Sequence, residues 1–254
     1  MKAQHGQATR IALVTGANQG IGLQVAKELV ANGYTVLVGS RNLTKGEEAA
    51  TGIGAGAIPI QLDVTNSTSI AKAAERIHTE YGRIDVLVNN AGISQAGRAN
   101  RTFEEATNEA RASMASLEEV KAIWETNVFG VIAVTQAMLP FLKESAAGRI
   151  INVSSALGSL NLNADPTYPY RAIFGVGYAA SKTALNAVTL SFAIELETST
   201  ITVNAASPGF PATALNNFQG TETIEVAARN IVRAALDESG VTGTFTGSDG
   251  ALPW

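Results

Sequence analysis

The sequence predicts an α/β protein built on one doubly wound parallel sheet, a Rossmann fold with helices on both faces. Three observations support this prediction. Short β-branched apolar runs alternate with segments of helical spacing from Arg10 onward. A glycine-rich turn joins the first run to the first helical segment. No linker or internal repeat divides the 254 residues, so residues 1–254 are expected to form a single domain.

The predicted elements follow one another as strand, helix, strand along the chain, which is the rhythm of a parallel sheet. A short helix is expected before the third strand, and three long segments interrupt the rhythm. The predicted strands are Ile11–Thr15, Thr35–Val38, Ile58–Val64, Asp85–Asn89, Arg149–Ser154, Ile201–Ala205 and Gly243–Thr246. The other predicted helices are Ile21–Ala31, Ser67–Tyr81, Leu117–Glu144, Tyr178–Glu197 and Thr221–Ser239. The long segments are Gly92–Ser116, Ala156–Gly177 and Pro208–Gly220, and such loops at the carboxyl edge of a sheet form the ligand crevice.

Composition excludes several classes of function. The net charge of −4 provides no basic surface for nucleic acid. Because the chain has no cysteine and only two histidines, we expect no thiolate catalysis and no metal site. The amino terminus is polar and no run approaches the ~20 apolar residues of a membrane span, so a cytoplasmic protein without a membrane partner is expected.

The glycine-rich turn after the first strand predicts a phosphate-binding loop. Glycine lets backbone N–H groups approach a pyrophosphate, and the amino terminus of the following helix favours an anion. A second glycine cluster at residues 52–56 leads into a strand, so it is interpreted as a flexible loop. The candidate phosphate-binding residues are Gly16, Asn18, Gln19, Gly20, Ile21 and Gly22.

The spacing of this turn, TGxxxGxG, occurs with four further motifs in a fixed order. They are Asn89-Asn90-Ala91-Gly92 after the fourth strand, Asn127 in the next helix, Tyr178-x-x-x-Lys182 and Pro208-Gly209. Together they resemble the classical short-chain dehydrogenase/reductase family over nearly the whole chain. The resemblance implies a nicotinamide cofactor, with Asn90, Ala91 and Gly92 beside it.

The end of the second strand decides the form of the cofactor in this family. Ser40 and Arg41 stand there, and a guanidinium can pair with a 2′-phosphate, so NADP(H) is inferred. A solvated surface arginine is the alternative for Arg41. Asp63 and Val64 resemble the residues that meet the adenine, although Asp63 could also cap a helix.

The resemblance also implies catalytic roles for four residues. Tyr178 would exchange the proton, and Lys182, on the same helix face, would stabilise its phenolate. Ser155 would bind the carbonyl oxygen, with Ser154 as the alternative serine. Asn127 would hold a water on the proton route. In addition, the resemblance places Pro208, Gly209 and Thr213 beside the nicotinamide.

Two stretches, residues 95–116 and 157–177, are longer than in most classical members. The carbonyl reductase branch has such an insertion before its tyrosine, and its members are often monomeric; monomer and homo-oligomer both stay open here. The insertion, residues 164–177, could wall the substrate pocket or cover a subunit-contact helix. Phe174, Phe210 and Phe218 could face substrate or could pack in the core.

The sequence therefore predicts an NADPH-dependent carbonyl reductase acting on a small ketone or aldehyde with an apolar or aromatic substituent. A 3-oxoacyl-carrier reductase of the same family is the first alternative, although no clear basic patch for an acidic carrier is present. A non-catalytic NADPH-binding sensor is the second. Such sensors tend to lose the tyrosine or the lysine, and this chain keeps Tyr178 and Lys182.

Overall fold

A computed structural model describes residues 9–96 and 101–254. In this part of the chain eight strands form one sheet in the order β3-β2-β1-β4-β5-β6-β7-β8. All neighbours are parallel except β7 and β8, which are antiparallel. The doubly wound prediction is confirmed. The strands are β1 (Arg10–Val14), β2 (Tyr34–Ser40), β3 (Ala57–Gln61), β4 (Val86–Asn89), β5 (Arg149–Val153), β6 (Thr202–Ala206), β7 (Phe245–Gly247) and β8 (Gly250–Ala251).

The helices lie between the strands, as the sequence rhythm predicts, and single 3₁₀ turns occur at Ala156–Gly158, Arg171–Ile173 and Ala214–Asn216. Two short helices, α4 and α7, lie inside segments that were predicted as loops. The helices are α1 (Gly20–Ala31), α2 (Leu43–Ile53), α3 (Ser67–Glu80), α4 (Phe103–Glu109), α5 (Leu117–Trp124), α6 (Gly130–Lys143), α7 (Leu160–Ala164), α8 (Tyr178–Glu195) and α9 (Ile224–Leu236).

Alternating side chains of the strands supply the two halves of the core. In β1, Val14 joins a cluster with Leu29 of α1 and Ile231 of α9 on one face. Leu13 joins a cluster with Ile77 of α3 and Met138 of α6 on the other face. Each such buried side chain contributes about 1.5–3 kcal/mol relative to an exposed one. Both faces of the sheet are therefore closed, and ligand access is left to the loops at its edge.

The structure differs from the prediction in three places, each for an identifiable reason. The third strand ends at Gln61, not Val64, because its partner β2 ends at Ser40, which is in register with Gln61. The glycine cluster is not wholly a loop: Gly52 still belongs to α2, and the chain leaves the helix at Gly54, with φ of +100°. The antiparallel β8 has too short an apolar run to be detected.

The long helix predicted over 117–144 is interrupted. The π-helical turn Glu125–Phe129 separates α5 from α6. Leu117–Lys143 is also the one stretch, within residues 9–96 and 101–254, that is long and apolar enough to cross a membrane by length and composition. In the fold, apolar side chains of this stretch such as Ile123 and Met138 are buried, whereas Leu117 and Phe129 are exposed.

Candidate active site

The turn between β1 and α1 forms a cradle of backbone. Gly16 and Gly20 adopt φ of +62° and +57°, a conformation that side chains disfavour. A Cβ on Gly22 would lie 2.3 Å from Asn90 Nδ2 and 2.6 Å from the Gly16 carbonyl oxygen, so the backbone approaches closely here. The capping residue of α1, Gln19, makes no side-chain capping bond, and the first turn of the helix contains no acidic residue. The cradle therefore fits the pyrophosphate of a dinucleotide.

Thr15, which sequence reasoning did not select, joins this cradle to the loop after β4. Its Oγ1 accepts hydrogen bonds from the backbone N–H groups of Asn90 and Ala91, both at 2.9 Å. In return, Asn90 Nδ2 donates to the carbonyl oxygens of Thr15 at 2.9 Å and Gly16 at 3.2 Å. The signal in the sequence was a polar residue directly after a buried strand. The structure thus brings two predicted cofactor segments together through bonds to Thr15.

The end of β2 presents the residues predicted to choose between cofactors. Ser40 is buried and its Oγ donates to the Asn42 carbonyl oxygen at 2.8 Å, whereas Arg41 is exposed. Asp63 does not cap α3, since the cap of that helix is Asn66; its Oδ1 accepts from the backbone and hydroxyl of Thr65 instead. The helix-cap alternative for Asp63 is therefore wrong.

Val64 is buried next to Asp63 and packs against the first residue of α6. A Cβ on Gly130 would lie 2.9 Å from the Val64 carbonyl oxygen. The fold thus leaves no space between the loop after β3 and α6. Two neighbouring strands, β2 and β3, end at the same edge of the sheet, where Ser40 is the last residue of β2 and Arg41, Asp63 and Val64 lie just beyond the strands.

Two serines follow β5, and the structure distinguishes them. Ser154 is buried and its Oγ donates to Asn186 Oδ1 at 2.6 Å. Ser155 shares a side-chain hydrogen bond with Tyr178, the first residue of α8, and its Oγ also accepts from the backbone N–H of Leu157 at 3.2 Å. Adjacent side chains point to opposite sides, as in a strand. Ser155 is thus the serine that meets the tyrosine.

Burial governs the ionisation of Tyr178 and Lys182. Burial raises the pKa of Tyr178 to about 12, although the hydrogen bond from Ser155 acts in the opposite direction and lowers it. Burial also lowers the pKa of Lys182 to about 8. The Lys182 ammonium donates to the Val153 carbonyl oxygen at 2.8 Å and lies 5.7 Å from the centre of the Tyr178 ring. The sequence argument expected the lysine to stabilise phenolate, whereas burial dominates here and keeps the phenol protonated at neutral pH.

Asn127 lies in the π-helical turn and is completely buried. Its Oδ1 accepts from the backbone N–H of Ile93 at 2.9 Å, and its Nδ2 donates to the Ile93 carbonyl oxygen at 2.8 Å. A Cβ on Gly92 would lie 3.3 Å from Asn127 Oδ1 and 3.6 Å from Lys182 Nζ. Glycine at position 92 therefore leaves open the space that Asn127 and Lys182 both border.

The loop after β6 closes the site from the other side. Gly209, after Pro208, has φ of +80°, and Thr213 is buried with its backbone N–H donating to Asn216 Oδ1 at 3.1 Å. The Ser94 hydroxyl donates to the Leu215 carbonyl oxygen, which joins this loop to the one after Gly92. The predicted nicotinamide segments thus reach the same region.

A cavity of about 60 Å³ lies beside Tyr178. Residues from both long stretches line it, among them Glu109 from the first and Ile173 from the insertion. The insertion therefore contributes to the wall of this cavity; its role as a wall of the substrate pocket stays a prediction. Residues 97–100 of the first stretch lie outside the described residues.

An ion cluster that sequence reasoning missed forms part of the cavity wall. Arg101 is buried, and its guanidinium contacts Glu109 at 2.8 Å and Glu119 at 2.9 Å. Hydrogen bonding to Arg101 lowers the pKa of Glu119. The carboxylate of Glu119 also accepts from the backbone N–H of Ala96 at 2.9 Å. These residues come from separate segments, so no local pattern identifies them.

Aromatic rings connect the insertion to the loop after β6. Tyr168 and Tyr170 lie edge to face at 5.8 Å, and Tyr170 and Phe210 lie at 6.0 Å. Phe174 and Phe218 are 37% and 68% exposed, so core packing, the alternative for these rings, is wrong for both. We name Tyr168, Tyr170 and Phe210 the aromatic row. It provides an apolar surface at the edge of the site.

Metal ligation has no candidate in residues 9–96 and 101–254, where no group of three or more histidine, aspartate or glutamate side chains is placed to hold an ion.

Comparison with known proteins identifies relatives over the same region. A family model described as short chain dehydrogenase matches residues 10–223. The short-chain dehydrogenase anuI of Penicillium roqueforti is 37% identical over 238 residues, covering 90% of this chain and 89% of that one. The structure of salutaridine reductase from Papaver somniferum superposes with a TM-score of 0.77 at 29% identity, covering 93% and 99% of the two chains. A 3-ketoacyl-(acyl-carrier-protein) reductase from Brucella melitensis, complexed with NADH, superposes with a TM-score of 0.76 at 26% identity, covering 94% and 96%.

Proposed function

Because this chain belongs to the short-chain dehydrogenase/reductase family, whose members are oxidoreductases that bind nicotinamide cofactors, we propose that it is an NADPH-dependent carbonyl reductase. Its substrate would be a ketone or aldehyde with an apolar or aromatic substituent, and its product the alcohol. The observation that supports this most directly is the hydrogen-bonded pair of Tyr178 and Ser155 with Lys182 one helical turn away. We also propose that residues 1–254 form one domain around the single described sheet.

NADPH, when bound, supplies the hydride. Ser155 binds the carbonyl oxygen and orients it toward the Tyr178 hydroxyl. Because burial keeps that phenol protonated at neutral pH, Tyr178 is in the state needed to donate a proton to the oxygen as negative charge develops there. The Lys182 ammonium stabilises the phenolate that remains, and Asn127, which borders Gly92 as Lys182 does, would lie on the route that returns the proton.

The preference for NADPH rests on Arg41. It is exposed at the end of β2, where a guanidinium is free to turn toward a 2′-phosphate and pair with it through two hydrogen bonds. The neighbouring Ser40 hydroxyl donates its proton to the Asn42 carbonyl oxygen, so that proton is not available to a 2′-phosphate. The cradle at residues 16–22 would hold the pyrophosphate.

The substrate class rests on the aromatic row and on the charge of the cavity. Tyr170 is exposed and Tyr168 and Phe210 are half-buried, so their rings favour an apolar or aromatic substituent, since ring contacts add about 0.5–1.5 kcal/mol beyond the area they bury. The charged residues that line the described cavity are Arg101, Glu109 and Glu119, which gives a net negative charge. This charge disfavours an acidic carrier protein and favours a free small molecule over a carrier-bound 3-oxoacyl chain.

The test is NADPH oxidation with a panel of aryl and alkyl ketones and aldehydes, with NADH in parallel. Tyr178→Phe is expected to lose at least about a hundredfold in kcat, as general acid catalysis contributes that much or more. The matched control is Tyr81→Phe, a tyrosine outside the site with no lysine four residues later, which should keep its activity. Arg41→Ala should raise the KM for NADPH and leave that for NADH, whereas the exposed Arg229→Ala should change neither.

Each part of the proposal has its own contrary outcome. Tight NADPH binding without turnover of any carbonyl contradicts the enzyme assignment and favours the sensor. Equal use of NADH and NADPH contradicts only the role proposed for Arg41 and leaves the enzyme assignment standing. Turnover of a 3-oxoacyl-carrier substrate far above that of free ketones contradicts the substrate class alone.

A further inference from the structure

A buried serine inside the tyrosine–lysine motif connects three parts of the site. Ser181 lies in α8 next to Lys182 and is completely buried. Its Oγ donates to the Tyr178 carbonyl oxygen at 2.6 Å, and the same Oγ accepts from Asn127 Nδ2 at 3.0 Å. A hydroxyl has one proton, which is used in the bond to Tyr178. Only its lone pairs can therefore face the Asn127 amide.

The Asn127 amide has its hydrogen bonds completed by two neighbours. The backbone of Ile93 bonds both ends of the amide and so determines which end is the oxygen. The second N–H of Nδ2 is directed to Ser181, on a different element. Ile93 thus fixes the orientation of the amide, and Ser181 connects it to the helix that holds Tyr178 and Lys182.

The hydrogen bond between Asn127 and Ser181 lies at a point where the backbone is irregular. Asn127 lies in the π-helical turn, in which the regular i→i+4 ladder is interrupted. Its Oδ1 and the Lys182 ammonium both border Gly92, where an added Cβ would lie 3.3 Å from the one and 3.6 Å from the other. A small displacement of the turn relative to α8 would therefore change the polar surroundings of Lys182 directly.

We propose that Ser181 is a positioning residue that acts through Asn127, holding the π-helical turn against α8 so that Asn127 stays aligned with Lys182. The proposal rests on the proposed reductase function. Ser181 touches neither the reacting carbonyl nor the cofactor in this role. Its contribution is to the geometry of the route by which Tyr178 regains its proton.

The same helix provides a matched control. Thr189 is also completely buried; its Oγ1 donates to the Leu185 carbonyl oxygen at 2.7 Å and accepts from Asn152 Nδ2 at 2.9 Å. This hydrogen-bonding pattern is the same as that of Ser181, but the amide partner, Asn152, belongs to β5 and not to the π-helical turn. Removing the Thr189 hydroxyl should therefore affect stability in the same way without affecting the site.

The experiment compares Ser181→Ala with Thr189→Val in the full chain, using kcat from pH 6 to 10, NADPH affinity and urea unfolding. Both variants should lose stability. Only Ser181→Ala should lower kcat, by about tenfold, because misplaced catalytic groups cost that much or more, and only it should displace the pH profile of kcat. NADPH affinity should be unchanged in both. Ser181→Cys keeps the volume with a weaker donor and should have an intermediate kcat, which keeps the test possible if the alanine variant does not fold.

A double-variant comparison separates positioning from general loosening. If Ser181 acts through Asn127, adding Ser181→Ala to Asn127→Ala should not lower kcat further. Independent, multiplying losses would overturn the proposal, as would an unchanged kcat and pH profile in folded Ser181→Ala. An equal loss of kcat in Thr189→Val would overturn it too. If the unmodified chain turns over no carbonyl, the proposed function fails and this inference fails with it, an outcome distinct from those above.

Discussion

Removing the buried ammonium of Lys182 should stabilise the fold at neutral pH while abolishing activity. Burial lowers the pKa of Lys182 from its ordinary 10.5 to about 8. At about 1.36 kcal/mol per pH unit, this lowering costs the folded state about 3 kcal/mol at pH 7. Lys182→Met keeps the length of the side chain and removes the charge. It also removes the hydrogen bond from the ammonium to the Val153 carbonyl oxygen, which as a bond from a charged group is worth about 1.5–3 kcal/mol. We therefore expect a net gain of about 1 kcal/mol at pH 7.

The pH dependence identifies the source of that gain. Between about pH 8 and 10.5 the unfolded chain binds the Lys182 proton and the folded chain has released it. The folded protein with Lys182 therefore becomes more stable as the pH rises. Relative to it, Lys182→Met should lose about 3 kcal/mol between pH 7 and 10.5, so that its gain at pH 7 becomes a deficit of about 2 kcal/mol at pH 10.5. Above pH 10 the raised pKa of Tyr178 introduces an opposite dependence, so both proteins are compared in a Tyr178→Phe background.

The assay is urea unfolding at a series of pH values from 7 to 10.5. The free energies of unfolding of the two proteins are subtracted at each pH, so that groups other than Lys182 cancel. A difference that stays constant with pH would refute the reasoning, as would a methionine variant that is less stable at pH 7 and gains stability as pH rises.

Three glycines give further predictions. Gly22→Ala places a Cβ against Asn90 and should weaken NADPH binding by at least about tenfold, or 1.4 kcal/mol, measured by fluorescence titration. Gly130→Ala places a Cβ against the backbone of Val64 and should lower the free energy of unfolding by about 1–3 kcal/mol. Gly52→Ala, in α2 with open space around it, should raise that free energy by about 0.4–1 kcal/mol; a loss of stability there would show that its backbone does not tolerate alanine.

Much of the fold could be predicted because the local patterns agree with the tertiary structure. The apolar strands of the parallel sheet are buried on both faces, so continuous runs such as Val86–Asn89 stand out from the helices. The glycine turn and the Tyr178 motif combine special residues at fixed spacings. The structure brings Tyr178 and Ser155 into contact, as the resemblance implies, although their separation in the sequence says nothing about distance.

Other features depend on contacts that the sequence does not display. The π-helical turn at Asn127 is invisible because apolar residues continue through it at helical spacing. The pairing of Arg101 with Glu119 joins two segments separated by a helix. The direction of the Tyr178 pKa depends on burial, which only the packed structure reveals. Sequence reasoning therefore located the chemical groups better than it predicted their surroundings.

The π-helical turn Glu125–Phe129 also has an evolutionary meaning. A π turn contains one residue more than an α turn, so it behaves as a single-residue insertion absorbed within a helix. The extra residue rotates α6 relative to α5 by about 100°, so that α5 packs on α8 while α6 packs on α3. Deleting one residue here would restore a regular helix but turn the buried side of α6 away from α3. The length of this segment is therefore constrained even where its side chains could vary.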